Sequence, residues 1–395
     1  MERYSNSTRE VAQDGRRGAL MLSVSVNHPD SEDFIDAKME QGKVTGANVS
    51  VRIDDQFMKA VKNNTNYTQK YPIFSAEPKV SKEIEADKLW KKIVHNAWKS
   101  AEPGILFWDT VINESVPDCY ADLGYKTVST NPCGEIPLCP YDSCRLLAIN
   151  LFSYVEEPFT DKAHFNYELF KKHISAAQRI MDDIIDLELE KIDNIIGKID
   201  ADPENEEVKA VEKNLWLNIR KKAHEGRRTG IGITAEGDML AGLGIKYGSK
   251  EGIDFSVDIH KNIAVEAYRA SVETAKERGA FGIFDSEREK NNPFILRLKE
   301  ADEKLYYDML EYGRRNIALL TIAPTGTTSL MTQTTSGIEP VFLPVYKRRR
   351  KVNPNDKEAR VDFVDEVGDS WEEYVVFHHR FKQWMKAKGY DTDKN

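Results

Sequence analysis

The sequence predicts an α/β fold, and three of its features carry that class. Short apolar segments of strand length alternate with segments of helical length through the first 108 residues. Residues 167–196 repeat apolar side chains at helical spacing (Phe170, Ile174, Ala177, Met181, Ile184, Ile185). The apolar run 317–323 stands between a helical stretch and the turn Pro324-Thr325-Gly326-Thr327.

In chain order, residues 17–26 read as a mostly apolar strand ended by Asn27-His28-Pro29-Asp30, and a helix over 31–41 follows with Ser31 as its cap. A second strand, 48–53, leads into a short helix from Asp54. A longer helix over 84–99 precedes the apolar segment 104–108, and 146–155 reads as a strand ahead of the long helix. The charged stretch 200–213, with Asp202-Pro203-Glu204-Asn205, reads as an exposed excursion between two long helices. Further helices are expected over 235–243, 253–278 and 293–312, and a buried strand over 317–323. No domain boundary is evident and no solenoid-period repeat is visible, so residues 1–395 are expected to form a single unit.

Composition excludes several classes. A net charge of −9 over 395 residues argues against a binder of nucleic-acid polymers, whereas a mononucleotide needs only a local basic spot. The longest apolar stretches are far too short to span a bilayer, and Met-Glu-Arg-Tyr-Ser-Asn at the N-terminus has no apolar signal core. A cytoplasmic protein with no membrane partner is the expectation. The basic run 347–351 reads as a solvated face.

The four cysteines, Cys119, Cys133, Cys139 and Cys144, all fall within 26 residues, which implies local thiol chemistry or a metal rather than a secreted disulfide framework. Their separations of thirteen, five and four intervening residues contain no Cys-x-x-Cys knuckle, which counts against a zinc site, and no metal is expected. Cys133 sits in Asn131-Pro-Cys-Gly-Glu-Ile-Pro-Leu-Cys-Pro-Tyr141. Pro132, Pro137 and Pro140 forbid a helix, so Asn131, Cys133 and Glu135 are expected to alternate onto one side of an extended loop. A sulfur, a carboxylate and an amide facing one spot suit hydrogen abstraction from a hydroxyl-bearing carbon, such as a sugar with two adjacent hydroxyls.

The string Ala323-Pro324-Thr325-Gly326-Thr327-Thr328-Ser329 offers glycine and hydroxyls where a helix can start, so its backbone N–H groups could hold a phosphate. It is not a Walker A loop, and by itself reads equally well as an ordinary capped turn.

These strings, with Arg227-Arg228-Thr229-Gly230-Ile231-Gly232 and Ser336-Gly337-Ile338-Glu339-Pro340-Val341-Phe342, resemble the ribonucleotide reductase large subunits, and most closely the adenosylcobalamin-dependent (class II) branch. The resemblance runs over nearly the whole chain. It implies a ten-stranded α/β barrel of two antiparallel five-stranded halves with the Cys133 segment as its central finger loop. It also implies a transient thiyl at Cys133, Glu135 as general base, Asn131 as the amide that holds a hydroxyl, and Cys144 as one member of a reducing cysteine pair whose other member is expected upstream, outside this chain. Cys119 and Cys139 match no functional position and are expected to be structural. Pro324, Thr325, Gly326, Thr327 and Thr328 would bind the substrate's phosphates. Gln13, Arg16 and Arg17 fall in what looks like the specificity loop, which links a deoxynucleotide effector to the substrate base.

Adenosylcobalamin is the cofactor so implied, a ribonucleoside di- or triphosphate the substrate, and a dithiol such as thioredoxin the reductant. Compared with the family, the chain opens almost directly on the specificity loop and closes after His378-His379-Arg380, so the barrel is expected to be incomplete at both ends. Exposed strand edges and a cut core are costly, which makes a complementing reductase fragment or a homo-oligomer the expected partner. A class I large subunit served by a separate metal-radical subunit, and a non-catalytic nucleotide-binding fragment, are the alternatives.

Overall fold

The computed structural model describes residues 1–13, 16–353, 355, 356 and 358–391. Its contacts cluster in two compact units, each assembled from three stretches of chain. The first comprises Met1–Arg145, Asp182–Thr229 and Ser271–Thr321, the second Leu146–Met181, Gly230–Ala270 and Ile322–Asn395.

The first unit is organised by a three-stranded parallel sheet in which Asn48–Ile53 is central, flanked by Met21–Ser25 and Gly104–Phe107. Val49, Val51 and Ile53 are all buried, as the centre of a parallel sheet covered by helices requires. Val51 and Ile53 join Val26, Ile35, Phe57, Leu89 and Ile93 in one core. Each such fully buried side chain contributes roughly 1.5–3 kcal/mol. Asp54 starts the helix Asp55–Asn63 as expected, its carboxylate accepting from the Phe57 N–H at 2.7 Å. The helix expected over 31–41 is only Ser31–Asp36, and its N-cap is Asp30. Ser31 is buried, its hydroxyl accepting from Gln69 Nε2 at 2.7 Å, so it serves packing rather than capping.

Three other expectations are corrected. Residues 200–213 are exposed but mostly helical: the helix Tyr167–Ala201 and the helix Glu206–Gly226 leave only residues 202–205 between them, and Asn205 caps the second helix through the Glu207 N–H at 2.7 Å. The helix expected over 293–312 breaks at Asp302, whose extended φ of −155° ends Pro293–Ala301 and whose carboxylate caps Glu303–Tyr312. Residues 317–323 form no regular strand, although Ile317, Leu319 and Thr321 are buried in alternation. Their bonds go to the Gly226 carbonyl (from Ile317 N–H, 2.8 Å) and the Thr229 N–H (to the Ala318 carbonyl, 2.9 Å) instead of a ladder.

The second unit pairs Leu146–Asn150 in parallel with Gly230–Thr234, every residue of which is buried. The strand expected over 146–155 therefore stops at Asn150, where a 3₁₀ turn, Leu151–Tyr154, begins. A separate antiparallel sheet orders Val345–Lys351, Ser370–Phe377 and Phe363–Val364. The basic run lies on its first strand, exposed and neutralised across the ladder by Arg349–Glu373 (2.7 Å) and Arg350–Glu372 (2.6 Å) pairs. Among the described residues five strands pair in parallel, three in one unit and two in the other, and no sheet closes on itself. No closed ten-stranded barrel is seen among the described residues. No described helix is long and apolar enough to cross a membrane.

Candidate active site

The cysteine-bearing segment folds as a hairpin, not as an extended loop. Ser129–Thr130 pairs antiparallel with Pro137–Leu138, and the chain reverses over residues 131–136. Asn131 sets the turn: its N–H donates to the Ile136 carbonyl (3.2 Å), its carbonyl accepts from the Gly134 N–H (3.0 Å), and its side-chain Oδ1 accepts from the Ile136 N–H (3.0 Å). Gly134 adopts φ +86°, the left-handed conformation that glycine takes without penalty. The trio therefore wraps a tight turn, with Cys133 exposed near its apex and Asn131 and Glu135 half-buried on either side.

The central sheet of the same unit holds the hairpin. Asn48 Nδ2 donates to the Pro132 carbonyl at 2.8 Å, Arg52 Nη1 to the Val128 carbonyl at 3.1 Å, and the Ser23 and Ser129 hydroxyls meet at 3.3 Å. From another stretch of the unit, the Thr321 hydroxyl donates to the Glu135 carbonyl at 3.4 Å. None of these supports was legible beforehand, because each joins residues that are remote in sequence.

Electrostatics fixes the state of the sulfur. Burial and the Glu135 carboxylate push the Cys133 thiol above its ordinary value, so it is protonated at neutral pH. Glu135 Oε2 is buried and has no hydrogen-bond partner among the described residues. A thiol kept protonated is a hydrogen-atom donor rather than a nucleophile, and an unfilled buried carboxylate oxygen is ready to accept a hydroxyl proton.

Cys144 lies just before the strand Leu146–Asn150 and is half-buried. Burial pushes its thiol up to about 11, with Arg228 and Arg145 pulling it down and Asp142 and Glu135 adding to the rise. Cys139 is buried among Tyr120, Tyr125, Phe281 and Ile317, with Cys119 packed against the same cluster. Burial and Asp142 push the Cys139 thiol up to about 12. The one metal-like grouping among the described residues, Asp182, Asp183 and Asp186, was not anticipated. Asp182 and Asp186 engage Arg227, and all three face Arg278.

In the second unit the proposed phosphate turn precedes and opens the helix Gly326–Thr332. Thr325 is buried, and its hydroxyl is already engaged: it accepts the Gly337 N–H at 2.7 Å and meets the Thr234 hydroxyl at 2.8 Å and the Ser336 hydroxyl at 3.4 Å. Two of the strings singled out in the sequence, 323–329 and 336–342, thus meet at one side chain. Pro324, Gly326, Thr327 and Thr328 are exposed, and a Cβ on Gly326 would meet nothing within 4 Å. The first N–H groups of a helix have no intrahelical acceptor, so Gly326, Thr327 and Thr328 are the members free to meet an anion. Gln13 and Arg16 pair through their backbones, as do Ala12 and Arg17, whereas Asp14, Gly15 and the side chains of residues 12–17 lie outside the described residues.

Residues 1–375 match the sequence profile of the ribonucleotide reductase barrel domain. A vitamin B12-dependent ribonucleoside-diphosphate reductase of Thermoplasma acidophilum is 31% identical over 351 residues, 88% of this chain and 39% of that protein. One from Mycobacterium tuberculosis is 31% identical over 348 residues, 87% of this chain and 42% of that protein. A ribonucleoside-diphosphate reductase subunit alpha of Chlamydia pneumoniae is 26% identical over 393 residues, 86% of this chain and 34% of that protein. The chain spans about two fifths of the length of the first two.

Proposed function

The chain belongs to the ribonucleotide reductase barrel-domain family, and from that premise we propose that it carries out the radical reduction of ribonucleotides to 2′-deoxyribonucleotides in the vitamin B12-dependent manner. The observation that carries this reading is an exposed, protonated thiol at Cys133 sharing one turn with a buried, unpartnered carboxylate oxygen of Glu135. Leaving such an acceptor unmet costs about 1–3 kcal/mol, a penalty that a substrate hydroxyl would relieve.

Adenosylcobalamin, when bound, supplies the radical chemistry that converts the Cys133 thiol to a thiyl. The donor set fits that group: the sulfur is exposed and carries its hydrogen, and a Cβ on the adjoining Gly134 would meet only Leu106 Cδ2, at 3.9 Å. The Cys133 thiyl takes the ribose 3′ hydrogen. Glu135 Oε2 accepts the 3′-hydroxyl proton as the 2′-hydroxyl, protonated by a thiol of the reducing pair to which Cys144 belongs, leaves as water. Asn131 anchors its turn through Oδ1, which leaves its amide N–H groups to hold a neighbouring hydroxyl. Cys144 is one member of the pair that delivers two electrons, restored afterwards by a dithiol such as thioredoxin.

Phosphate recognition, for a di- or triphosphate, is assigned to Gly326, Thr327 and Thr328, with Thr325 as the buried anchor of that turn. Gln13, Arg16 and Arg17 are assigned to the response to a deoxynucleotide effector. The family's complete catalytic fold is read as the ten-stranded barrel to which the parallel strands belong.

The test incubates the full chain with a ribonucleotide, a deoxynucleotide effector, adenosylcobalamin and dithiothreitol, and quantifies deoxyribonucleotide. Product that requires adenosylcobalamin and vanishes in Cys133→Ala is the expected result. Product that persists in Cys133→Ala would overturn the assignment of the sulfur, and product that needs a metal-radical subunit in place of adenosylcobalamin would move the chain to class I.

A further inference from the structure

Residues 142–145, which follow the hairpin, are gripped by two guanidinium groups. Arg228, from the stretch after the helix Glu206–Gly226, pairs with Asp142 at 2.7 Å, both side chains being buried. Arg145 pairs through Nε with Glu188 and donates through Nη1 to the carbonyls of Ser143 (3.2 Å) and Arg228 (3.1 Å). Both arginines are more than nine-tenths buried. Each nonetheless keeps one buried donor atom, Arg145 Nη2 and Arg228 Nη2, without a hydrogen-bond partner among the described residues. Cys144 lies between the clamped Ser143 and Arg145.

Two buried guanidinium nitrogens with unfilled N–H groups are costly for a fold to keep unless an acceptor meets them during function. Both arginine charges act on the sulfur of Cys144, whose thiol donates to the Arg145 carbonyl at 3.7 Å, so that sulfur is an acceptor within the cluster once it carries negative charge. We propose that Arg145 and Arg228 form a seat for the Cys144 thiolate, acting as positioning residues that ease its release whenever a disulfide to Cys144 is opened. In that step an external dithiol's thiolate attacks the other sulfur of the disulfide. A new S–S bond forms, the old one breaks, and Cys144 leaves with the electron pair as thiolate. A leaving thiolate of lower basicity departs faster, which is the effect of two adjacent positive charges.

The charged groups facing Cys144 are Arg228 and Arg145, which favour the thiolate, and Asp142 and Glu135, which oppose it. Glu188 holds Arg145 in place through its Nε. With the arginines in place burial still pushes the thiol up to about 11, and without them burial and the two carboxylates would raise it further and make the sulfur a poorer leaving group still. This role rests on the reductase reading in one respect, that Cys144 cycles between thiol and disulfide. The acidity of the thiol, by contrast, is measurable with no turnover at all.

The experiment measures the rate of iodoacetamide alkylation of Cys144 in the full chain against pH, with the modified peptide resolved by mass spectrometry. Wild type is compared with Arg228→Gln, Arg228→Lys, Arg145→Gln and Asp142→Asn, and circular dichroism checks each fold. The midpoint reports thiol acidity, whereas the high-pH plateau reports access. The expected result is a midpoint raised by about one pH unit in Arg228→Gln and in Arg145→Gln, equal to about a tenfold lower thiolate fraction below the midpoint. Arg228→Lys restores most of the shift and Asp142→Asn lowers the midpoint. If Arg228→Gln proves too unstable to hold its fold, Arg145→Gln decides alone, since Glu188 is partly exposed and can be hydrated. Unchanged midpoints in the folded Gln variants overturn the proposal. Shifted midpoints in a chain that makes no deoxyribonucleotide support the thiolate seat and count against the reductase reading instead.

Discussion

The side-chain oxygen of Asn131 accepts the backbone N–H of Ile136 at 3.0 Å, closing the turn that carries Cys133 and Glu135. One residue thus ties the shape of the hairpin to its chemistry, and the two roles separate by substitution. Asn131→Asp keeps an oxygen acceptor for Ile136 but loses the amide donors, so its urea midpoint should stay near wild type while turnover falls. Asn131→Ala should lose turnover and also about 1 kcal/mol of stability. Equal stability of the Ala variant and wild type would remove the turn bond from the account.

Glu135 Oε2 has no hydrogen-bond partner among the described residues. Glu135→Gln should therefore melt like wild type and lose about 10²–10⁴-fold in turnover, the range associated with removing a general base. A Gln variant within twofold of wild type in turnover would take the proton-accepting role away from this residue.

Thr325 and Thr327 lie two residues apart and should respond oppositely. Thr325→Val strips partners from the buried Gly337 N–H and Thr234 hydroxyl, which should cost about 1–3 kcal/mol of stability in urea unfolding. Thr327 is exposed, so Thr327→Val should leave stability unchanged and raise KM for the nucleotide. A Thr327→Val enzyme with wild-type KM would leave the phosphate assignment without support at that position.

Asp182 is buried, a condition that by itself would raise its pKa. Arg227 at 2.7 Å, aided by Arg315 and by Asn316 at 3.0 Å, nevertheless holds it below the ordinary carboxylate value. A depressed folded-state pKa contributes stability that is complete above the unfolded value, about 4, and is lost as pH falls through the folded value. Asp182→Asn should cost about 3 kcal/mol, the lower end for a broken buried pair because Asp186 still engages Arg227 at 2.8 Å. It should also flatten the fall in stability below about pH 4. An acid-unfolding curve parallel to wild type would show that another carboxylate dominates there.

What the sequence revealed of this fold depended on how local the cause was. The strand Asn48–Ile53 and the start of a helix at Asp54 were readable residue by residue, since apolar alternation is a property of neighbours. The break at Asp302 was hidden because helical periodicity continues across it, although an aspartate before Glu303 is itself a cap signal. The segment 317–323 looked like a strand because its apolar alternation is real, yet its hydrogen bonds go to residues about ninety positions earlier.

At the candidate site, the residue identities were legible in the proline-rich string, whereas its shape was not. Alternation predicted an extended loop, and the Asn131–Ile136 bond with the left-handed Gly134 produced a turn. The pairing of Arg228 with Asp142 joins residues 86 positions apart, and only the fold reveals it.

The central claim is that the Cys133 sulfur removes the 3′ hydrogen of a ribonucleotide. Its most direct test is turnover of a 3′-deuterated ribonucleotide beside the unlabelled one, in wild type and in Cys133→Ser. The account predicts slower reduction of the deuterated substrate by wild type and no reduction of either by the variant. Equal rates for the two substrates, together with reduction by Cys133→Ser, would contradict it.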